Sequence, residues 1–199
     1  MQRLHIEVDI YMKLQITGKF RDTLMYKSLT GFEKVEKRGW TKNQIQDSAV
    51  NIIVPQLFGM SQHVLTGFLP VNYFALGAGD LSWDDDPNNV NKPVDQTLLT
   101  NEAGITNSRI AVDDQLFTLL DANNNALNPQ APSNKVRLDL TIGLNDGIGD
   151  LREFALFANA TSAVDSGIML NWITHPKIEK DAQLAINREI ILDFTICRS

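Results

Sequence analysis

Apolar residues fall at every second position from Leu4 to Ile16, with His5, Glu7, Asp9, Tyr11, Lys13 and Gln15 between them. A period of two marks a strand with one buried and one exposed face. The run is longer than the usual strand of about 3 to 10 residues. It therefore predicts either a strand bent across two sheets or an arm extending from the body. Thr17-Gly18-Lys19 offers a turn, after which Phe20 to Tyr26 is expected to return antiparallel to the first strand. Residues 27 to 39 mix Lys27, Lys34, Lys37 and Arg38 with Glu33 and Glu36, which reads as a solvated connection in preference to a basic contact patch.

A helix signal comes next. Thr41 and Gln44 match a capping box, Trp40 and Ile45 stand at the positions of a hydrophobic staple, and Ile45, Ala49, Ile52 and Ile53 share a face at helical spacing. The expected helix starts at about Lys42 and ends at Pro55. Tyr73 to Leu76 reads as a buried strand, with Gly77 and Gly79 as its exit. From residue 108 onward the pattern is β throughout. Ile110 and Val112 alternate, and Phe117 and Leu119 alternate in the opposite phase, which predicts a bulge near Asp113-Asp114. Val136 to Leu144 alternate, and "NDGIGD" is expected to turn the chain into "LREFALFA" as a hairpin. Ile168, Leu170 and Trp172 mark a further strand, and Leu184, Ile186, Ile190, Leu192, Phe194 and Ile196 mark the last.

Together these elements predict a mainly β (α+β) chain. It would be an antiparallel β-sandwich-like domain with one α-helix in its N-terminal half and an extended N-terminal β-hairpin or arm. The expected division is residues 1–40 for the arm and connection, and 41–199 for the helix and sandwich. Arg188 breaks the apolar phase of the last strand. Glu153 shares the phase of Leu151, Ala155 and Phe157 on its own strand. Two inward charges predict an ion pair, since each alone would be costly to bury. The alternative is a bulge that turns one of them to solvent.

Composition narrows the function. The 199-residue chain carries a formal net charge of −6, which argues against nucleic acid or an anionic membrane surface as partner. No stretch approaches the roughly 18 apolar residues of a spanning helix. The N-terminus lacks the apolar block of an export signal, and the single Cys197 cannot form an internal disulfide. A soluble protein folded in a cytoplasm is expected. "YFALGAGDLSWDDDP" (73–87) lacks the third glycine and following helix of a dinucleotide fingerprint. Asp84, Asp86, Asn88 and Asp95 fall at positions one, three, five and twelve of a calcium loop, but Asn89 stands where glycine is required and Pro87 interrupts it. This is a weak metal candidate, and a solvated acidic loop is the simpler reading. His5, His63 and His175, the last in a His-Pro turn, show no ligand spacing, and no nucleophile motif is present. No catalytic site and no cofactor are predicted.

Five stretches carry a resemblance through their order and spacing: "GWTKNQIQDSAVNIIVPQLFG", "YFALGAGDLSW", "QTLLTNEAGITNSRIAV", "LREFALFANATSAVDSGIML" and "HPKIEKDAQLAINREIILDF". In this order the chain, over roughly residues 39–196, resembles phage tail-collar or tail-fibre-type proteins and is similar to components of contractile injection machines. Trp40, Leu76, Gly77, Gly79, Glu102, Arg109, Arg152, Glu153, Phe157, Lys180 and Phe194 match its motifs. The resemblance implies scaffold and assembly roles, and location in the virion tail. The implied partners are other tail, baseplate or fibre proteins, with a trimer or ring of the chain itself. Many members continue into a fibre shaft or receptor-binding tip, so an adaptor role is expected here. A second expectation, from another class, is a carbohydrate-binding β-sandwich module using exposed aromatics such as Trp83 and Trp172.

Overall fold

The computed structural model describes residues 12–45, 70–86, 90, 93, 95–128 and 130–198. Its strands are β1 (Met12–Ser28), β2 (Gly31–Lys37), β3 (Thr41–Ile45), β4 (Val71–Gly77), β5 (Arg109–Ala111), β6 (Phe117–Leu120), β7 (Lys135–Ile142), β8 (Gly149–Ala158), β9 (Ile168–Lys180) and β10 (Leu184–Arg198). They pair antiparallel in the order β5-β4-β8-β9-β3-β1-β10-β7-β6, with β2 added to β1. The short β3 makes the corner. It pairs with β1 through Thr41, Lys42 and Asn43 and with β9 through Gln44 and Ile45. The sheet thereby folds over on itself into two layers, β5-β4-β8-β9 and β1-β10-β7-β6.

One apolar core fills the space between the layers. Phe20, Leu24, Leu138, Leu140, Ile142, Ile186, Ile190 and Leu192 come from one layer; Phe74, Leu76, Phe154, Leu156, Leu170 and Ile173 come from the other. On β7 the burial of Leu138, Leu140 and Ile142 against the exposure of Asp139 and Thr141 follows the pleat. Each such side chain stabilises the fold by about 1.5–3 kcal/mol relative to exposure. A second, smaller apolar cluster of Ala75, Leu99, Ala155, Phe157, Met169 and Trp172 lies on the outer face of the β4-β8-β9 layer, with Tyr73 and Trp83 packed against it.

The mainly β, sandwich-like class agrees with the alternation in the sequence, but several expectations need correction. Thr41–Ile45 is a strand where the helix was expected to begin, because pairing with both β1 and β9 outweighs a local capping signal. The rest of that expected helix lies outside the described residues, as do His5 and His63. Thr17-Gly18-Lys19 is no turn: β1 runs straight through it, paired with β10 from Met12 to Tyr26. The described part of the expected arm is thus continuous with the sandwich through β1, while β2 stands out, exposed along its whole length.

β7 and β8 do not form a hairpin. β7 pairs with β6 and β10, and β8 with β4 and β9, so the connection between them crosses from one layer to the other. Between β5 and β6 a 3-10 turn, Asp114–Leu116, replaces the expected bulge, again because the two strands belong to opposite layers. His175 and Pro176 lie inside β9 instead of forming a turn.

Candidate functional site

The outer face of β4-β8-β9 carries a buried polar network, and its origin is a bulge. The pairing of β8 with β9 slips between Leu151 and Glu153. Leu151 therefore faces the main core, while Glu153, Ala155 and Phe157 face the smaller cluster outside. Glu153 is fully buried and forms no ion pair among the described residues. Its Oε1 accepts from the Asn101 and Gly79 amides at 2.8 and 3.2 Å, and its Oε2 accepts from the Trp172 indole and the Thr100 amide at 2.7 and 3.0 Å. Four donors on one carboxylate offset the desolvation of its charge. They also tie the 79–101 segment to the sheet at both ends.

The same face holds two bidentate ion pairs. Arg152 donates to Asp84 from Nε and Nη2 at 2.7 and 2.8 Å, and its Nη1 donates to the Ala78 carbonyl at 3.1 Å. The hydrogen bonds from Arg152 hold the Asp84 carboxyl below its ordinary value. Arg109 donates to Glu102 at 2.5 and 2.7 Å and lies over the Phe157 ring at 4.4 Å, and Glu102 also accepts from the Asp165 amide. The two glycines fit this network closely. A Cβ on Gly77 would lie 2.6 Å from Glu153 Cγ, and one on Gly79, whose φ is +59°, would lie 2.6 Å from Trp83 Cε3.

Arg188 occupies the main core. It lies 3.9 Å over Phe154, with Phe20 and Phe74 at 5.4 and 5.6 Å, and its Nε and Nη2 each donate to Asp22 at 2.7 Å. The expected pairing of Glu153 with Arg188 is therefore incorrect. Both charges are buried as anticipated, but the β8 bulge sends Glu153 to the opposite face of its sheet. Burial opposes ionisation of Asp22, yet the Arg188 charge and hydrogen bonds outweigh it and hold the carboxyl below its ordinary value. Burial, with the nearby Arg188 charge, pushes His175 down to about 3, so this imidazole is neutral.

The sequence reading missed Asp22. Its signal was the even-numbered apolar phase, which continues through Gly18 into Phe20, Asp22 and Leu24.

The structure brings together Gly77, Gly79, Glu102, Arg109, Arg152, Glu153 and Phe157, all singled out in the sequence, with Trp83 and Trp172. Leu76 lies in the main core, Phe194 packs against it, and Lys180 donates to the Gly143 carbonyl at 2.7 Å. Trp40 lies elsewhere, half exposed, with Lys19 Nζ at 4.5 Å and the Arg21 guanidinium at 4.6 Å from its ring. Among the described residues, the calcium candidates Asp84, Asp86 and Asp95 do not gather into a cage. Asp84 is engaged by Arg152, Asp86 and Asp95 are exposed, and Asn88 lies outside the described residues. Among the described residues no three His, Cys, Asp or Glu side chains are placed to hold a metal, and no helix is long and apolar enough to cross a membrane. Trp172, expected among exposed aromatics, is 2% exposed and edge-on to Trp83, which is itself half buried.

Chemically, the network clamps loops. Both oxygens of Glu153, Glu102 and Asp22 accept hydrogen bonds from within the protein. No family model matches the chain, no curated protein matches it, and no solved structure matches its fold.

Proposed function

We propose that this protein is a structural subunit of a phage or phage-like tail, connecting or decorating baseplate and tail fibres through symmetric protein–protein contacts. The observation that carries the reading is the convergence of the residues on which the resemblance rests. Gly77, Gly79, Glu102, Arg109, Arg152, Glu153 and Phe157 come from three separated stretches and meet in one buried network. Motifs that encode a common scaffold would converge in this way, and the network's role in holding loops suits a subunit whose work is geometric. The test is immunogold electron microscopy of tailed particles from the source culture, with antibody raised against this chain. Labelling at a tail tip, baseplate or neck is the expected result. Abundant tailed particles without label, beside free soluble protein, would refute the proposal.

A further inference from the structure

Among the described residues, the two outer faces of the sandwich carry opposite charge. On the β1-β10-β7 side, Lys19 and Lys42 are direct cross-strand partners, and Lys19 and Arg21 both lie against the Trp40 ring. Like charges directly opposite on a sheet are destabilising in isolation. Lys34 and Lys37 extend the same face onto β2, in register with Met25 and Thr23, and Arg21 and Lys37 border an open cavity of about 270 Å³. Phe32, in register with Lys27, adds an apolar side chain that is 53% exposed. Glu189 and Asp139 offset part of this charge through Arg21 and Arg137.

The opposite side, around the 3-10 turn Leu81–Asp84, is acidic. Asp80, Asp85 and Asp86 are exposed there, and Asp150 and Glu179 stand near Lys177. Leu81, the first residue of this turn, is 74% exposed beside Asp80.

We propose that the basic face around Trp40 binds the acidic 80–86 turn of a second copy of this chain, head to tail, with Leu81 seated against Trp40. The proposal rests on the assembly reading above and names its contact. Charge complementarity carries it: each face holds an excess that the other neutralises, and each surrounds uncovered apolar groups. Because the faces lie on opposite sides of the sandwich, the contact is heterologous and generates a ring or a stack.

Edge-to-edge pairing of two β2 strands is the competing geometry, and β2 opposes it. Val35 is skipped in the pairing with β1, so a bulge interrupts the strand. The two nearest registers that keep like faces together set Glu33 against Glu36, or Lys34 against Lys37. The run of residues 27 to 39, read from sequence as a mere solvated connection, thus becomes half of a contact.

Sedimentation velocity on the full chain tests this with two charge-reversed variants, Asp85→Lys/Asp86→Lys and Lys34→Glu/Lys37→Glu. The wild type should self-associate at low salt and dissociate as salt rises. Each variant alone should sediment as a monomer. An equimolar mixture should reassemble, because each reversed face then meets a complementary one. A mixture that stays monomeric overturns the contact, as do variants that associate like the wild type. In the latter case the assembly reading stands and a different surface carries it. A wild type that is monomeric at low salt also overturns the contact, while tail labelling still decides the reading above. Polyglutamate serves as the probe for any other acidic partner: if the wild type binds it and Lys34→Glu/Lys37→Glu loses that binding while self-associating like the wild type, the contact is overturned in favour of a foreign acidic partner.

Discussion

Glu153→Gln isolates what the buried carboxylate does, because the side chain keeps its size and loses only its charge and one acceptor. Each oxygen of Glu153 serves two donors: Gly79 and Asn101 on Oε1, Thr100 and Trp172 on Oε2. Whichever way the amide turns, one pair of N–H groups faces an NH2 and loses its acceptor. Hydrogen bonds to charged groups contribute about 1.5–3 kcal/mol each, so two lost bonds should cost about 3–6 kcal/mol. That is a large part of the roughly 5–15 kcal/mol that holds a typical domain. Urea unfolding followed by tryptophan fluorescence should show the midpoint falling with little change in slope. Amide hydrogen exchange at Thr100 and Asn101 should accelerate more than exchange in β10. A loss below about 1 kcal/mol with unchanged exchange at those two amides would show that Glu153 does not hold the 79–101 segment.

Three further outcomes follow from the same geometry. Arg188→Met leaves Asp22 buried without its partner and should cost about 3–5 kcal/mol, whereas adding Asp22→Leu should recover most of that loss; additive losses in chemical denaturation would exclude the coupling. His175 has a folded value of about 3 against an ordinary 6.5. The unfolded chain therefore binds a proton that the folded one refuses, and stability should fall by about 1.4 kcal/mol per pH unit from pH 6.5 toward 3. Asp22, held low by Arg188, adds to the acid loss only below its ordinary value of 3.8; His175→Phe should flatten the slope of stability measured between about pH 4 and 6, and an unchanged slope would remove His175 as its source. Gly79→Ala places a side chain at φ +59° against Trp83; it should cost about 1–2 kcal/mol from the left-handed backbone alone, with a shift in Trp83 fluorescence, and an unaltered midpoint and spectrum would refute the close fit.

Most strands were legible because alternation is local: the pleat puts residues i and i+2 on one face, and the face that meets the core must be apolar. β7 and β10 are read this way almost residue by residue, and so are the strand before Gly77 and the inward direction of Arg188. The helix expected from Lys42 failed for the complementary reason. Capping residues describe only local preference, and residues 41–45 form the corner that joins β1 to β9.

Partners were not legible at all. Glu153 finds its loop amides 52 and 53 residues away, and Arg188 finds Asp22 at a separation of 166. One slipped residue on β8 decides that these two charges never meet. The sequence by itself determined most of the strands, the apolar faces they carry and the burial of Glu153 and Arg188, since each depends only on near neighbours and their hydration. Strand order, the crossing from β7 to β8 and the partner of every buried charge belong to the tertiary structure, because they depend on which apolar faces cover one another across the whole chain.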